Sequence, residues 1–190
     1  MAKNDERRRT LADAGIRVLA REGARGLTHR AIDREAGVPL GTASNYFRSR
    51  AVLVEGLVSR VWEVISPTER DSRSVPGGCR TARSSPITFE TSCAGSQHRD
   101  ATIALFELRL ESGRRPELEA IMGAWLRAGF DADVAFNHSV GLPGGRREIA
   151  LFHYAIDGLL LDRLTASIDP DTSTDDVVDD LVYAIMPEKK

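Results

Sequence analysis

The most constraining stretch of this 190-residue chain runs from Thr28 to Tyr46. Residues 29–36 read as a short helix whose Ala31, Ile32 and Ala36 form a small apolar face. Thr28 stands just before it, where a hydroxyl oxygen can accept a hydrogen bond from an open N–H of the first turn. Gly37-Val38-Pro39 follows. Glycine takes the positive φ of a tight turn between crossed helices, and Val38 can plug the joint. Proline is tolerated at a helix start because the N–H it lacks is one the helix leaves unbonded. The next segment, Leu40-Gly41-Thr42-Ala43-Ser44-Asn45-Tyr46, is short, small and polar, which suits a core poorly. Gly41 and Ala43 allow close approach to a groove, while Thr42, Ser44 and Asn45 offer donors and acceptors to base edges. Phe47 closes the segment inward.

The flanks fit this unit. Leu11, Ala14, Ile16, Val18 and Leu19 recur with helical period over 6–22, and Gly23 supplies a stop. Ser49 caps a fourth helix over 50–65, with Val52, Leu53, Leu57, Val61 and Val64 on its apolar side. Residues 1–70 carry 13 Lys and Arg against 9 Asp and Glu, whereas the remainder carries 13 against 19. The net charge of −2 therefore hides a basic first third, the part suited to a polyanion. Two short helices around a glycine turn in a basic segment make a helix-turn-helix by mechanics.

The sequence from Leu27 to Leu53 also resembles the DNA-binding signature of the TetR family, at a similar distance from the N-terminus and after a similar loop at 23–26. The resemblance implies an all-α chain with an N-terminal three-helix, helix-turn-helix DNA-binding domain and a C-terminal helical domain for ligand binding and dimerisation. It assigns phosphate contacts to Thr28, Tyr46 and Arg50, with Arg30 and Arg48 as additions. It places Leu40, Gly41, Thr42, Ser44 and Asn45 on the recognition helix. The family often carries tyrosine at the Ser44 position and lysine at the Arg50 position. Those departures bear on base preference and phosphate geometry, not on the fold.

Helical patterning returns from residue 100. Ile103, Leu105, Phe106, Leu108 and Leu110 mark one helix over 102–109. Pro116 opens a second with Leu118, Ile121, Met122, Trp125, Leu126 and Phe130. After the break at 141–145, a helix over 146–166 carries Ile149, Leu151, Phe152, Ala155, Ile156, Leu159, Leu160 and Leu164; a last one starts near Thr174. The stretches 104–118 and 157–164 resemble the start of the sensor half and the penultimate helix of TetR relatives. In that family the last two helices pair with their copies, which implies a homodimer interface at Phe152, Ile156, Leu159, Leu160, Val178, Leu181 and Ile185. Both helices are apolar over a wider arc than one internal face needs. A two-fold dimer suits a palindromic operator in double-stranded DNA. A pocket for an unidentified small molecule is likewise implied, with Phe106, Met122, Trp125, Phe130 and His153 as candidate lining; residues of each kind are more often plain core.

Residues 71–98 interrupt the pattern. Pro76, Gly77-Gly78 and Pro86 break them, and they hold few apolar side chains. So long a structureless stretch is unusual inside a compact domain. Read one base earlier, the codons implied for 82–100 can encode an amphipathic helix running into Ala101, as two compensating frame changes would produce. The organisation expected is therefore a DNA-binding domain over 1–48, a connecting helix over 49–70, the anomalous segment 71–98 and a sensing and dimerisation domain over 99–187.

Other classes have little support. Cys79 and Cys93 make neither a zinc spacing nor a disulfide framework, and no metal or other cofactor is expected. No nucleophile–base set or phosphate loop occurs at a recognisable spacing, so an enzyme is not expected. The charged N-terminus lacks an apolar signal segment, and no apolar run is long enough to span a membrane, so a cytoplasmic location is expected. The expected function is a transcriptional regulator, a repressor released from its operator by a ligand. The rival is a helical ligand-binding or scaffolding protein with a vestigial helix-turn-helix, which salt-dependent binding to a palindrome would discriminate.

Overall fold

The computed structural model describes residues 2–65 and 96–186. Within them the chain is helical, without a strand, as an all-α fold requires. The helices are α1 (Ala2–Gly26), α2 (His29–Glu35), α3 (Thr42–Tyr46), α4 (Arg50–Ile65), α5 (Ser96–Ser112), α6 (Pro116–Ser139), α7 (Arg146–Leu164) and α8 (Thr174–Ile185).

The punctuation residues act where the sequence puts them. α1 is interrupted at Gly23, whose φ of 68° breaks the helical path, and a short turn follows to Gly26. α4 occupies the span set by Ser49, whose Oγ accepts from the Val52 N–H at 3.2 Å. Two boundaries differ from expectation. α3 begins at Thr42, so Leu40 and Gly41 belong to the turn before it and not to the helix. Gly41 adopts φ +93°, which cannot start a regular right-handed helix, and Pro39 enters the turn by accepting from Thr42 N at 3.1 Å. α5 begins at Ser96, six residues before the periodic apolar run, because polar residues extend a helix already anchored by Ala101, Ala104, Leu105 and Leu108. Residues 96–98 are thus helical as written, while the rest of the anomalous segment lies outside the described residues.

The chain divides into two compact units, the division falling within α6 between Trp125 and Leu126. In the first, α1, α4 and α5 pack around Leu11, Leu19, Leu53, Leu57, Val61 and Leu108, joined by Ile32 of α2, Phe47 and Met122, all at most 2% exposed. Each such side chain contributes about 1.5–3 kcal/mol relative to exposure. α2 and α3 are far too short to persist alone and owe their order to this core. The second unit closes on Ile149, Phe152, Ile156, Leu160 and Val178. Asn137 Nδ2 donates to the carbonyls of Pro143 and Gly144, fixing the α6–α7 turn, and Glu148 accepts from the Gly145 N–H at 2.8 Å to cap α7. That bond, the leading cause, holds the Glu148 carboxyl below its ordinary pKa.

The single-chain core corrects part of the expected dimer interface. Phe152, Ile156, Leu160 and Val178 are turned into the second unit's own core, at 0%, 2%, 9% and 5% exposure, and leave little surface for a partner. Leu159, Leu181 and Ile185 are half-buried. The outward apolar residues of α7 are instead Leu151, Tyr154 and Leu161.

Candidate nucleic-acid interface

Thr28 caps α2: its Oγ1 accepts from Ala31 N at 3.1 Å, the bond its sequence position implies. Gly37 takes φ +64°, and the chain reverses into α3. Of the five residues of α3, Ala43 is wholly buried and points back at the core. Ser44 and Asn45 are exposed, Thr42 and Tyr46 half-buried. Thr42 Oγ1 donates to Pro39 O at 2.5 Å and Ser44 Oγ to Gly41 O at 2.8 Å, so both hydroxyls keep acceptor lone pairs facing outward. Leu40 stands 69% exposed at the front of the turn. With Thr28, His29, Arg30, Asp33, Gly41 and Ser44 it lines a recess of about 500 Å³ between α2 and α3. Arg30 and Arg48 flank this face, both exposed.

Two residues that sequence reading passed over hold α3 in place. Asp33 is 0% exposed, and its two carboxylate oxygens accept from Gly41 N and Ala43 N, each at 2.7 Å. A cap for α3 is thus delivered from α2, which explains how a five-residue helix without a side-chain cap of its own keeps its direction. His29 Nε2 lies 2.7 Å from the carbonyl oxygen of Phe47 and donates to it, tying the start of α2 to the end of α3. The available signal was an acidic residue beside Ile32 on the inward face of a short helix, just ahead of a glycine turn.

Arg50 is engaged within the chain. Its Nη atoms donate to the carbonyls of Ala24 and Leu27, each at 3.2 Å, and its Nε is buried. The guanidinium is turned onto the end of α1 because the break at Gly23 leaves carbonyls there without helical partners. It lines a small recess with Thr28, so its influence on DNA passes through the position of that cap. Arg50→Ala is therefore expected to lower the melting temperature and overall affinity while leaving the salt slope of DNA binding intact; a slope flattened by about 1 unit would restore the direct phosphate contact.

α2 is braced to α1 by Glu35, which accepts from Arg17 Nε at 2.7 Å and from Arg21 at 3.1 Å. The Arg17 hydrogen bond, ahead of the opposing effect of burial, holds the Glu35 carboxyl below its ordinary value of 4.5. A lowered folded-state pKa gives stability that is present above 4.5 and lost as pH falls through the folded value. Glu35→Gln should therefore flatten the acid limb of a melting-temperature profile, and an unchanged limb would show that the brace contributes nothing.

Of the candidate ligand residues, Phe106, Met122 and Trp125 belong to the first unit and Phe130 and His153 to the second. Met122 is core at 1% exposure. Phe106 is half-buried, with the Arg109 guanidinium 5.9 Å from its ring centre. Trp125 meets Trp62 edge to face at 5.3 Å. Phe130 and His153 meet in the second unit, ring centres 5.6 Å apart, with Arg146 over Phe130 and His153 Nε2 3.1 Å from the buried Asp133 carboxylate.

Comparison with known proteins agrees with this geometry. Residues 11–57 match the family described as bacterial regulatory proteins, tetR family, and residues 89–187 match the tetracyclin repressor-like C-terminal domain. No curated protein is a significant match in sequence. A TetR-family transcriptional regulator from Rhodococcus sp. superposes with a TM-score of 0.74 at 20% identity, over 96% of this chain and 100% of that one. A TetR-family member from Streptomyces coelicolor A3 gives 0.71 at 22% identity, over 96% and 99%. The multidrug binding protein EbrR, complexed with imidazole, gives 0.66 at 23% identity, over 97% of each. With both halves of the family matched and the helix-turn-helix in place, the chain belongs to the TetR family of DNA-binding transcriptional regulators.

Proposed function

We propose that this regulator is a ligand-responsive repressor, acting in the cytoplasm as a homodimer that reads a palindromic operator. The observation that carries the reading is the polar face of α3, held by Asp33 and His29 and flanked by exposed arginines. Thr42, Ser44 and Asn45 supply base contacts in the major groove; Thr28, Arg30, Tyr46 and Arg48 engage phosphates. Ligand responsiveness is supported by the likeness to EbrR, which has been crystallised with proflavin, ethidium and malachite green. α4 leaves the helix-turn-helix at Arg50 and carries Trp62 in its last turns, so a ligand that shifts α4 changes the presentation of α3 and weakens operator binding.

The test sorts residues by what they read. Tyr46→Phe or Arg48→Ala weakens binding to all sequences and, where a charge is lost, flattens the salt slope by about 1 unit. Asn45→Ala instead costs about 1–3 kcal/mol at particular base pairs. Equal losses on operator and random DNA for Asn45→Ala would remove it from the base-reading set.

A further inference from the structure

The turn that joins α1 to α2 is gripped from two sides. Gly23 breaks α1 at φ +68°, a backbone angle that residues with a Cβ rarely adopt. A Cβ there would also stand 3.2 Å from Glu107 Oε2, so the glycine both turns the chain and admits a carboxylate from α5. The next residue, Ala24, donates its N–H to Glu107 Oε2 at 3.3 Å. Its carbonyl accepts from Arg50 Nη2 at 3.2 Å, while Arg50 Nη1 donates to Leu27 O at the same distance. Ala24 is thus held by α5 through its N–H and by α4 through its C=O. Both helices lie in the first unit, where α5 packs against α1 and α4. Thr28 follows Leu27 directly and caps α2, whose Asp33 in turn holds α3. We propose that Glu107 is a positioning residue for DNA recognition, a carboxylate outside the helix-turn-helix that fixes the 23–28 turn through the Ala24 N–H and with it the start of α2. The break at Gly23 leaves backbone groups of the turn without helical partners, and those groups need partners from elsewhere in the chain. Without the anchor on α5 the turn is free to pivot at Gly23, and the Thr28 cap loses its fixed place. Simple electrostatics predicts the opposite sign: removing a carboxylate from a unit that binds a polyanion strengthens the binding. The inference deepens the reading of α2 and α3 as the DNA face and rests on it.

Two readouts on the full chain separate position from charge and from global stability. The first is the Kd for a duplex that the wild-type chain selects from a random library, against a scrambled duplex of the same composition. The second is hydrogen exchange at the Ala31 amide, which Thr28 Oγ1 caps, with the amide of Leu57 in α4 as the reference for global opening. Glu107→Ala should bind the selected duplex about tenfold more weakly, with an unchanged salt slope. Its Ala31 amide should exchange at least about fivefold faster relative to Leu57. Glu107→Gln keeps an oxygen for the Ala24 N–H and loses only the charge, so it should recover most of both losses. Glu107→Ala binding as tightly as wild type or more tightly overturns the assignment. So does Glu107→Gln binding as weakly as Glu107→Ala, or exchange at Ala31 and Leu57 rising by the same factor. A wild-type chain that prefers neither duplex, with Ala31 still loosened selectively in Glu107→Ala, upholds the grip on the turn and overturns the DNA reading on which its function rests.

Discussion

Asp33→Ala is expected to abolish specific DNA binding while leaving most of the protein folded. The buried carboxylate is the shared acceptor for Gly41 N and Ala43 N. Its removal leaves the buried Ala43 N–H and the partly buried Gly41 N–H without this partner, at a cost of about 1–3 kcal/mol each. The first unit's core, centred on α1, α4 and α5, does not depend on those bonds, so the loss falls on the register and direction of α3. A five-residue helix cannot recover them alone. Operator affinity should fall by about 100-fold, the equivalent of about 1.4 kcal/mol for each of the two bonds. The substitution Asp33→Asn keeps the shape of the side chain but offers one acceptor oxygen to two donors, and its affinity should lie between those of wild type and Asp33→Ala. Retained operator affinity in Asp33→Ala would mean that α3 is held by contacts other than this cap.

Tyr154→Glu and Leu161→Glu are expected to yield monomers that lose tight operator binding. On α7 the residues Leu151, Tyr154, Gly158 and Leu161 follow one another at near-heptad spacing. The three side chains are 46%, 70% and 47% exposed, and a Cβ at Gly158 would meet open space. Tyr183 of α8 is 83% exposed as well. A self-complementary seam of this kind suits a two-fold partner, with Gly158 allowing close approach. On an isolated chain an exposed glutamate changes stability by only about 0.5 kcal/mol. Buried in a seam without a partner it costs several kcal/mol, and the dimer comes apart. Phe152→Ala provides the contrast: at 0% exposure it should cost about 3–5 kcal/mol of fold stability, whatever the protein concentration. Sedimentation of Tyr154→Glu as an unperturbed dimer would place the interface elsewhere.

The sequence made the helix-turn-helix legible because its signals are local. Thr28, Gly37, Ser49 and Gly23 each act within a few residues of themselves, through a cap or a backbone angle. What the sequence hid depends on chain brought together by folding. Asp33 acts on residues eight and ten positions away, and Arg50 finds carbonyls 23 and 26 positions back. Neither partner is marked in the sequence. The burial of Phe152, Ile156 and Leu160 was hidden for a related reason. α7 is apolar on more than one side, and period alone does not say which stripe faces its own core and which faces out. Phe152, Ile156 and Leu160 form one stripe, and Leu151, Tyr154 and Leu161 the other. Trp62 was missed for the same reason. It sits on α4 among valines, and only the approach of α6 sets it edge to face with Trp125.

The central claim is that α3 reads base sequence, and selection of bound sites from a random duplex library by the purified chain tests it most directly. The account predicts enrichment of one palindromic consensus whose affinity falls steeply with salt, and no enrichment by the Asp33→Ala variant in the same selection. Recovery of unbiased sequence by the wild-type chain, with weak binding equal on all duplexes, would contradict it and leave the helix-turn-helix as a structural remnant.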